Sequence, residues 1–391
     1  MIDNAQIPHF IKYMGSKREI LDRIHFAIEM LNVDSEWFCD LFAGTSVVGG
    51  SLKHLKNVQV NDIQIYSSIF ANTYFSNYKE CANSNELTRI KDRVLALINE
   101  FDLRYPELNY DYSKVKDFDL LIKFESEQQK FINKDFEIGF SLFTKYYSGT
   151  YWSSNQCKWI DSIRAIAEEY KGLPEYYAIL SSLMFAMSYA SQSTGHFAQY
   201  RDVTKSNMND ILIYRNKNIW NLFAKKFQEI ISIIDTNSNF ENRITTLDYV
   251  DCLRIIEENS IVYADPPYTN VHYSRFYHAL ETLVKYDHPP IKYKGRYRED
   301  RHQSPFDIKT EVKNAFRLLF KGVRERNSHL ILSYSNNGMI TLDEILHLGK
   351  LEFGNEYAVD VKSEDYIHMK MGRVDEYQMD VKELIISYKR L

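Results

Sequence analysis

The sequence predicts an α/β fold, a largely parallel sheet with helices on both faces, interrupted by a mostly helical insertion. Near both ends of the chain, short apolar runs that end in polar residues alternate with helical patterns, as in proteins built on parallel sheets. Between residues 80 and 240 the pattern is mostly helical. A chain of 391 residues is long enough for one large domain or two of ordinary size.

The first elements follow one another closely. Apolar residues recur at helical spacing behind "GSKRE" and predict an amphipathic helix over residues 16–31. An apolar strand is predicted at 37–42, followed by a Gly-containing turn and a helix. A short strand at 58–60 then leads to Asp62 and another helix. These segments form a strand–turn–helix–strand unit typical of parallel sheets.

The later strands are predicted at 243–247, in "IVYADPPYT" (261–269) and in "SHLILSYSNNG" (328–338). The segments 356–365 and 382–391 are expected to pair in antiparallel fashion around an exposed connection.

The middle of the chain is interpreted as a second domain. Helical runs at 158–170 and 176–190 have the apolar faces needed for a packed unit. We therefore expect residues 1–79 and 241–391 to form one domain and residues 80–240 to form an insertion with a core of its own.

Composition indicates an ordered cytoplasmic protein. The four cysteines are scattered without a C-x-x-C pair, so neither a zinc site nor a disulfide framework is indicated, and no metal is expected. The first residues lack the pattern of a signal peptide, and the apolar run "YAILSSLMFAMSYA" is too short and too rich in serine to span a bilayer. We expect no contact with a membrane.

Positive charge is concentrated in one segment. The net charge of −5 argues against a protein whose whole surface binds nucleic acid. The segment "IKYKGRYREDRHQ" (291–303), however, contains Lys292, Lys294, Arg296 and Arg298 between tyrosines. We interpret it as a basic patch, and the alternative is a solvated loop.

The stretch "DLFAGTSVVG" indicates a small-molecule site. It places Asp40 at the end of a strand and Gly44 where the backbone passes close to a ligand. It is not a Walker loop, and Ser46 stands where a dinucleotide fingerprint needs glycine. A nucleoside cofactor with a positively charged head fits better, with Asp62 on the ribose hydroxyls and Asp40 attracting the cation. The alternative is a helix-packing glycine beside two surface acids.

The turn "DPPY" at 265–268 indicates a second part of that site. Two prolines fix consecutive φ angles and make the end of the strand stiff. Ligands of open α/β sheets bind at the carboxyl ends of the strands. A plain turn after a strand is the alternative.

Five motifs occur in a family-specific order: "KYMGSK" at 12–17, "DLFAGTSVVGG" at 40–50, Asp62, "LDY" at 247–249 and "ADPPYT" at 264–269. The chain resembles the alpha-group DNA N6-adenine methyltransferases, the class that includes the Dam-type enzymes, and the resemblance implies an enzyme of the type II restriction-modification kind. The resemblance covers roughly residues 1–78 and 243–391. It implies a Rossmann-like methyltransferase sheet, S-adenosyl-L-methionine as cofactor, double-stranded DNA as substrate and a target-recognition domain at 80–240.

The resemblance implies a catalytic set of Asp265, Pro266, Pro267 and Tyr268. Asp265 and the carbonyl of Pro266 would accept the two amino hydrogens of a flipped adenine, and Tyr268 would stack on the base. The N4-cytosine enzymes of similar fold usually carry serine in place of this aspartate, so Asp265 favours adenine.

The resemblance also implies a cofactor-binding set. Its members are Lys12, Tyr13, Gly15, Lys17, Asp40, Phe42, Gly44, Asp62, Asp248 and Asp265. Asp248 would contact the adenine amine of the cofactor, although a strand-end cap is the alternative. Tyr273 and Phe276 are expected near the base pocket.

Candidate DNA contacts lie mostly in the middle region. They are Lys145, Asn155, Gln156, Gln199 and Arg201, together with Lys292, Lys294, Arg296 and Arg298 of the basic patch. Asparagine and glutamine pair with adenine and arginine with guanine. The alternative is that the middle segments are turns joining helices.

Two other functions stay open. An adenine methyltransferase of structured RNA would differ in which polymer accepts the methyl group. A catalytically idle nucleic-acid-binding module would bind without transfer, against which the intact "DPPY" at 265–268 argues. A separately encoded restriction endonuclease is a possible partner.

Overall fold

The structure is a computed structural model that describes residues 7–82, 85–193, 195–234, 238–268, 272–365 and 382–391. Thr269 and the connection 366–381, both named in the sequence predictions, lie outside the described residues.

The described strands are β1 (Trp37–Asp40), β2 (Asn57–Asn61), β3 (Asn242–Thr245), β4 (Ile261–Ala264), β5 (Ile291–Lys292), β6 (Tyr297–Arg298), β7 (His329–Ser335), β8 (Tyr357–Asp365) and β9 (Lys382–Arg390). Seven of these strands form one sheet in the order β3-β2-β1-β4-β7-β9-β8, and β5 pairs with β6 in a small hairpin. Strands β3, β2, β1, β4 and β7 are parallel, whereas β9 runs antiparallel to β7 and β8. The five predicted strands and the closing antiparallel pair are confirmed.

The described α-helices are α1 (Leu21–Leu31), α2 (Val47–Ser51), α3 (Ile65–Phe75), α4 (Lys79–Ala82), α5 (Glu86–Arg104), α6 (Phe118–Gln129), α7 (Leu142–Tyr147), α8 (Ser154–Glu169), α9 (Pro174–Ala190), α10 (Met208–Arg215), α11 (Ile219–Ile233), α12 (Tyr249–Ile255), α13 (Tyr273–Phe276), α14 (His278–Lys285), α15 (Val312–Glu325) and α16 (Leu342–Phe353). A 3-10 turn at Lys17–Ile20 precedes α1, so the predicted helix at 16–31 is confirmed. None of the helices in the described segments is long and apolar enough to cross a bilayer.

Successive residues of a strand point to opposite faces of the sheet. Helices pack on both faces and bury them. Phe38 and Tyr263 face a core shared with α1, α3 and α14. Cys39 and Val262 face a second core built with α12, α15 and α16. The prediction of a largely parallel sheet covered on both faces is therefore confirmed.

The helices of the middle region pack on one face of the sheet. Helices α8 and α9 confirm the two predicted helical runs, and α9 packs against α3 and α11. The Thr73 hydroxyl donates to the carbonyl of Tyr177 at 3.1 Å and lies 2.7 Å from Ser181 Oγ. One apolar cluster runs from Tyr263 in the sheet to Leu183 in α9. The main core of the middle region is thus continuous with that of the sheet.

Candidate active site

Three carboxylates meet at one edge of the sheet. Asp40 ends β1, Asp62 follows β2 and Asp265 follows β4. In the parallel register, Asp40 lies opposite Val60 on one side and Tyr263 on the other. The carboxyl ends of these strands therefore converge, and they border a cleft with an empty volume of about 850 Å³.

Most of the residues predicted for the cofactor and the base lie in the wall of this cleft. They are Tyr13, Gly15, Phe42, Asp62, Asp248, Asp265, Pro266, Pro267 and Tyr268. Tyr273 also lines the cleft. Lys12, Lys17, Asp40, Gly44 and Phe276 are not among the lining residues. Lys12 instead places its ammonium 4.8 Å above the ring of Tyr189.

Two backbone amides hold the carboxylate of Asp62 in the wall of the cleft. The amide of Gly44 donates to Asp62 Oδ2 at 2.8 Å, and the amide of Gln64 donates to Oδ1 at 2.8 Å. Gly44 has a φ of +53°, and a Cβ there would lie 3.0 Å from the ring of Tyr13. Desolvation raises the pKa of Asp62 to about 6 although both amides lower it. Glycine is thus required at position 44 by backbone conformation and by the close approach of Tyr13.

Ser46 occupies a backbone position that favours glycine. Its φ is +57°, in the left-handed region, at the start of α2. Its buried hydroxyl has no hydrogen-bond partner among the described residues. The departure from the glycine of a dinucleotide fingerprint therefore places a serine in a strained conformation.

Asp40 contacts helix α2, which follows the glycine turn. Its carboxylate is buried and accepts a hydrogen bond from the amide of Gly49 at 2.9 Å. Burial raises the pKa of Asp40 to about 7, with a smaller contribution from Asp265 and Asp62. Asp40 therefore holds α2 against β1 instead of facing the cleft.

Lys17 lies beneath the turn that carries Asp265. Its ammonium is 3.0 Å from Asp265 Oδ1 and donates to Glu383 Oε1 at 2.8 Å. Burial lowers the pKa of Lys17, but the two carboxylates outweigh it and raise the pKa well above its ordinary value. Burial raises the pKa of Asp265 to about 7, while Lys17 lowers it. Lys17 is therefore a charged support of the Asp265 turn.

Sequence reasoning missed Glu383. It lies at the start of β9, is 4% exposed and comes from the antiparallel part of the sheet. A charged residue at the head of the apolar run "LIISY" is the only sequence signal that could have indicated it.

Aromatic stacking holds the N-terminal motif over the cleft. The ring of Tyr13 stacks on Tyr277 at a centroid distance of 4.5 Å. The amide of Met14 donates to the Tyr277 hydroxyl at 2.7 Å. Tyr277 follows α13 and so connects the segment after the "DPPY" turn to the N-terminal motif.

The comparisons with known proteins agree with this geometry. The profile of the D12 class N6 adenine-specific DNA methyltransferases matches residues 13–333. The chain belongs to this family. The family resemblance seen in the motifs is thereby confirmed, and the cleft described above carries the motifs on which it was based.

Three relatives illustrate the relationship. The modification methylase LlaI of Lactococcus lactis subsp. lactis is 24% identical over 91% of this chain and 51% of its own length. The modification methylase StsI of Streptococcus sanguinis is 24% identical over 97% of this chain and 52% of its own. The type II methyltransferase M.FokI of Planomicrobium okeanokoites is 26% identical over 86% and 46%. The chain spans about half the length of these relatives.

Asn61 connects two chain segments at the edge of the sheet that borders the cleft, and Asp248 follows one of them. The side-chain Nδ2 of Asn61 donates to the carbonyls of Leu41 at 3.2 Å and Leu247 at 3.1 Å. Its side-chain Oδ1 accepts a hydrogen bond from the backbone amide of Leu247. Asn61 was missed, although a polar residue at the end of a predicted strand could have indicated it. Asp248 Oδ1 accepts a hydrogen bond from the backbone amide of Val250 at 2.9 Å, which is the cap considered above as the alternative role. Asp248 also lines the cleft.

The basic patch folds as a hairpin against the middle region. The Tyr151 hydroxyl donates to the carbonyl of Gly295 at 2.9 Å, and Arg296 Nε donates to the carbonyl of Tyr146 at 2.9 Å. Exposed ion pairs join Lys292 to Glu299 and Lys294 to Asp202.

Arg298 is used inside the protein. Its guanidinium is buried and makes a bidentate contact with Asp287, each bond 2.7 Å long, and a further contact with Asp300 at 3.0 Å. Because its side chain is buried and its charge is paired inside the protein, we remove Arg298 from the candidate phosphate contacts.

Gln156 is also used inside the protein. It forms a capping box with Ser153 at the start of α8, and its amide nitrogen donates to the carbonyls of Tyr214 at 2.9 Å and Lys217 at 3.0 Å. Both amide hydrogens are therefore occupied, and we remove Gln156 from the candidate base contacts.

The other candidates in the middle region are more accessible. Lys145 and Arg201 form ion pairs with Asp135 and Asp210, while Asn155 is half-buried and Gln199 is exposed. These four side chains are still available as candidates for DNA contacts.

Proposed function

We propose that this chain transfers a methyl group from S-adenosyl-L-methionine to the exocyclic N6 amine of a flipped adenine in double-stranded DNA. The observation that carries the proposal is the position of the Asp265 carboxylate. Its side chain lines the cleft, is mostly buried, and is paired through Oδ1 with the Lys17 ammonium at 3.0 Å. A buried acceptor held on a stiff turn suits the hydrogens of an amine.

The cleft fits the cofactor. S-Adenosyl-L-methionine supplies a methyl group on a positively charged sulfur. The carboxylate of Asp62, fixed by two backbone amides, suits the ribose hydroxyls, as in other nucleotide-binding sheets. The rings of Phe42 and Tyr249 provide apolar walls for the purine. Tyr13 and Gly15 close the cleft from the N-terminal side.

The "DPPY" turn provides the groups for the target base. Asp265 accepts one hydrogen of the amine and the carbonyl of Pro266 accepts the other, which turns the nitrogen lone pair toward the methyl group. Tyr268 lines the same cleft and offers its ring for stacking, an interaction worth about 1–3 kcal/mol per base. Lys17 favours the ionised form of Asp265, which is the better acceptor. The stiff turn keeps these groups in place.

We also propose the division of labour between the two parts of the chain. Residues 1–79 and 241–391 form the Rossmann-like methyltransferase sheet, and residues 80–240 form a target-recognition insertion. None of the described residues that line the cleft comes from 80–240. The described residues of that region share a core with the sheet and do not line the cleft. This arrangement suits a role in DNA recognition through Lys145, Asn155, Gln199 and Arg201.

The relatives suggest a biological setting. Two of them are named modification methylases and one a type II methyltransferase. We propose that this chain protects DNA against a separately encoded restriction endonuclease.

Sequencing of plasmid DNA for modified bases tests the proposal. The chain and its Asp265→Ala variant are expressed separately in cells that lack adenine methylation. We expect methylated adenines within one short sequence motif for the wild type and none for the variant. Absence of modified adenine from the wild-type plasmid, with the folded protein present, would reject the activity.

The same assay tests the recognition role. Gln199→Ala and Arg201→Ala should relax or shift the methylated motif while leaving the affinity for S-adenosylhomocysteine unchanged. An unchanged motif in both variants, and in Lys145→Ala and Asn155→Ala, would place recognition elsewhere.

A further inference from the structure

We propose that Asp307 is a purine-binding residue of the cleft, whose carboxylate accepts a hydrogen bond from the exocyclic amine of a bound adenine ring. The inference rests on the proposed function and adds a residue that the family motifs do not include. Adenine enters that reaction twice, as the ring of the cofactor and as the target base, and the two sources share the chemistry that Asp307 would recognise.

A rigid turn positions Asp307. The 3-10 turn Pro305–Asp307 begins after Ser304, whose hydroxyl accepts a hydrogen bond from the amide of Phe306 at 3.3 Å. The amide of Asp307 donates to the carbonyl of Ser304 at 3.0 Å. Ser304, Pro305 and Asp307 all line the cleft. The side chain of Asp307 is therefore held in the cleft wall by the local backbone.

The carboxylate of Asp307 lacks the partners that burial normally requires. Its side chain is 1% exposed, and its Oδ1 atom accepts no hydrogen bond within the described part of the chain. The Nδ1 atom of His272 lies 3.4 Å from Oδ2. A buried carboxyl group without partners is costly, and a donor from a ligand would offset that cost.

His272 does not neutralise Asp307 at neutral pH. Burial lowers the pKa of His272, and Arg301 and Arg275 lower it further. Burial also raises the pKa of Asp307 to about 7. Both shifts favour the uncharged form of each group, so the two side chains do not form a stable ion pair. The carboxyl group of Asp307 is therefore available to a ligand.

The surrounding walls suit a flat aromatic ring. The ring of Phe306, behind the cleft, packs against Phe42 at 5.5 Å and Tyr249 at 5.2 Å. Phe42 and Tyr249 both line the cleft. Asp307, next to Phe306 in sequence, thus places an acceptor beside apolar walls. An acceptor at the edge of such a slot recognises the hydrogen-bond donors of the ring, and the exocyclic amine is the donor that adenine offers.

The earlier assignment of the cofactor amine to Asp248 is compatible with a contact to Asp307. The amine of the cofactor was assigned to Asp248 by resemblance, but one oxygen of that residue is engaged in the cap of α12. Asp307 supplies a second carboxylate in the same cleft.

Calorimetry with S-adenosylhomocysteine and its deaminated analogue S-inosylhomocysteine tests the inference. The variant is Asp307→Ala, and the matched control is Asp251→Ala, which removes an exposed aspartate of α12. At pH 8, where Asp307 is mostly ionised, Asp307→Ala should bind S-adenosylhomocysteine about tenfold or more weakly and should lose the preference for the amine if the cofactor ring is the source, because a hydrogen bond to a charged group is lost. If the target ring is the source, affinity for S-adenosylhomocysteine is retained and KM for DNA rises by a similar factor.

Unchanged cofactor affinity together with unchanged KM for DNA would overturn the inference. Failure of the wild-type chain to bind S-adenosylhomocysteine would instead reject the proposed function. Thermal unfolding checks that each variant is folded. If Asp307→Ala does not fold, Asp307→Asn keeps the shape and weakens the acceptor, so the same losses should appear at a few-fold, and their absence would count equally against the inference.

Discussion

The ammonium of Lys17 lies 3.0 Å from Asp265 Oδ1, which joins the N-terminal motif to the turn after β4. The same ammonium donates to Glu383 of β9 at 2.8 Å. Three segments that are distant in the sequence are thus held by one buried charge, directly beneath the candidate site for the target base. The contact supplies a physical reason for a lysine in the motif "KYMGSK".

Replacing Lys17 with methionine should affect stability and the pH dependence of transfer. The variant leaves Asp265 and Glu383 buried without their cation, and breaking such an ion pair costs about 3–5 kcal/mol in the free energy of unfolding. It should also raise the pKa of Asp265, so the acidic limb of the single-turnover rate should move to higher pH. Denaturant unfolding and pH–rate profiles measure the two effects. Lys17→Arg keeps the charge and is the control, and an unmoved limb in Lys17→Met would contradict the positioning role.

The affinity for S-adenosylhomocysteine should fall on acidification through the pKa of Asp62. That pKa is raised to about 6 by desolvation, and the protonated form is a poorer acceptor for ribose hydroxyls. Calorimetry between pH 5 and pH 8 should show weaker binding at the acidic end, and Asp62→Asn should bind weakly with less dependence on pH. A wild-type affinity that does not change across this range would assign Asp62 a purely structural role.

The contribution of Asp62 to folding stability should change with pH in the opposite direction to its contribution to cofactor affinity. The pKa of Asp62 is about 6 in the folded chain and 3.8 for the ordinary carboxyl group. Between these values the folded state holds a proton that the unfolded state has released, so the contribution of Asp62 to stability is present below pH 4 and is lost as pH rises through about 6. Unfolding titrations of the wild type and Asp62→Asn isolate this contribution, which the variant should lack.

Two substitutions in the glycine turn should differ in their effect on the free energy of unfolding. Gly44→Ala adds a Cβ that lies 3.0 Å from the ring of Tyr13 and strains a φ of +53°, so it should destabilise the chain by about 1–2 kcal/mol or more. Ser46→Gly relieves the positive φ of a residue whose hydroxyl has no partner within the described segments. It should be neutral or stabilising by up to about 1 kcal/mol, since glycine also costs backbone entropy. Thermal unfolding of both variants decides, and a loss of stability in Ser46→Gly would refute the strain argument.

The hairpin lysines test the remaining DNA contacts of the basic patch. Lys294→Ala should weaken the binding of all DNA sequences alike and reduce the slope of log affinity against log salt by about one unit if the residue contacts a phosphate. Lys292→Ala should act similarly. Lys313→Ala, which also removes an exposed lysine paired with a glutamate, is the control and should leave the slope unchanged. If the slope equals the wild-type slope in all three variants, the hairpin lysines do not contact phosphates and the hairpin has only a structural role.

The framework of the site could be predicted from the sequence because it depends on local patterns. Apolar runs ending in Asp40, Asp62 and Asp265 indicated three strands whose carboxyl ends meet, and the parallel register brings them together.

The supporting contacts could not be predicted in this way. Glu383 meets Lys17 and Arg298 meets Asp287 only through tertiary packing, which has no local periodicity. The same limitation explains why the basic segment suggested a phosphate patch although part of its charge is neutralised internally. Asp307 was missed because a Ser-Pro turn is ordinary loop chemistry in a sequence.

Transfer of labelled methyl groups from S-adenosyl-L-methionine, followed by analysis of the labelled nucleosides, tests the central claim most directly. Equal amounts of double-stranded DNA and structured RNA are offered to the wild-type chain and to Asp265→Ala, whose affinity for S-adenosylhomocysteine should be nearly unchanged. The account predicts N6-methyldeoxyadenosine as the only labelled product and a loss of about 100-fold in the variant. Label in RNA or in cytosine, or a variant that retains more than about a tenth of the wild-type rate, would contradict it.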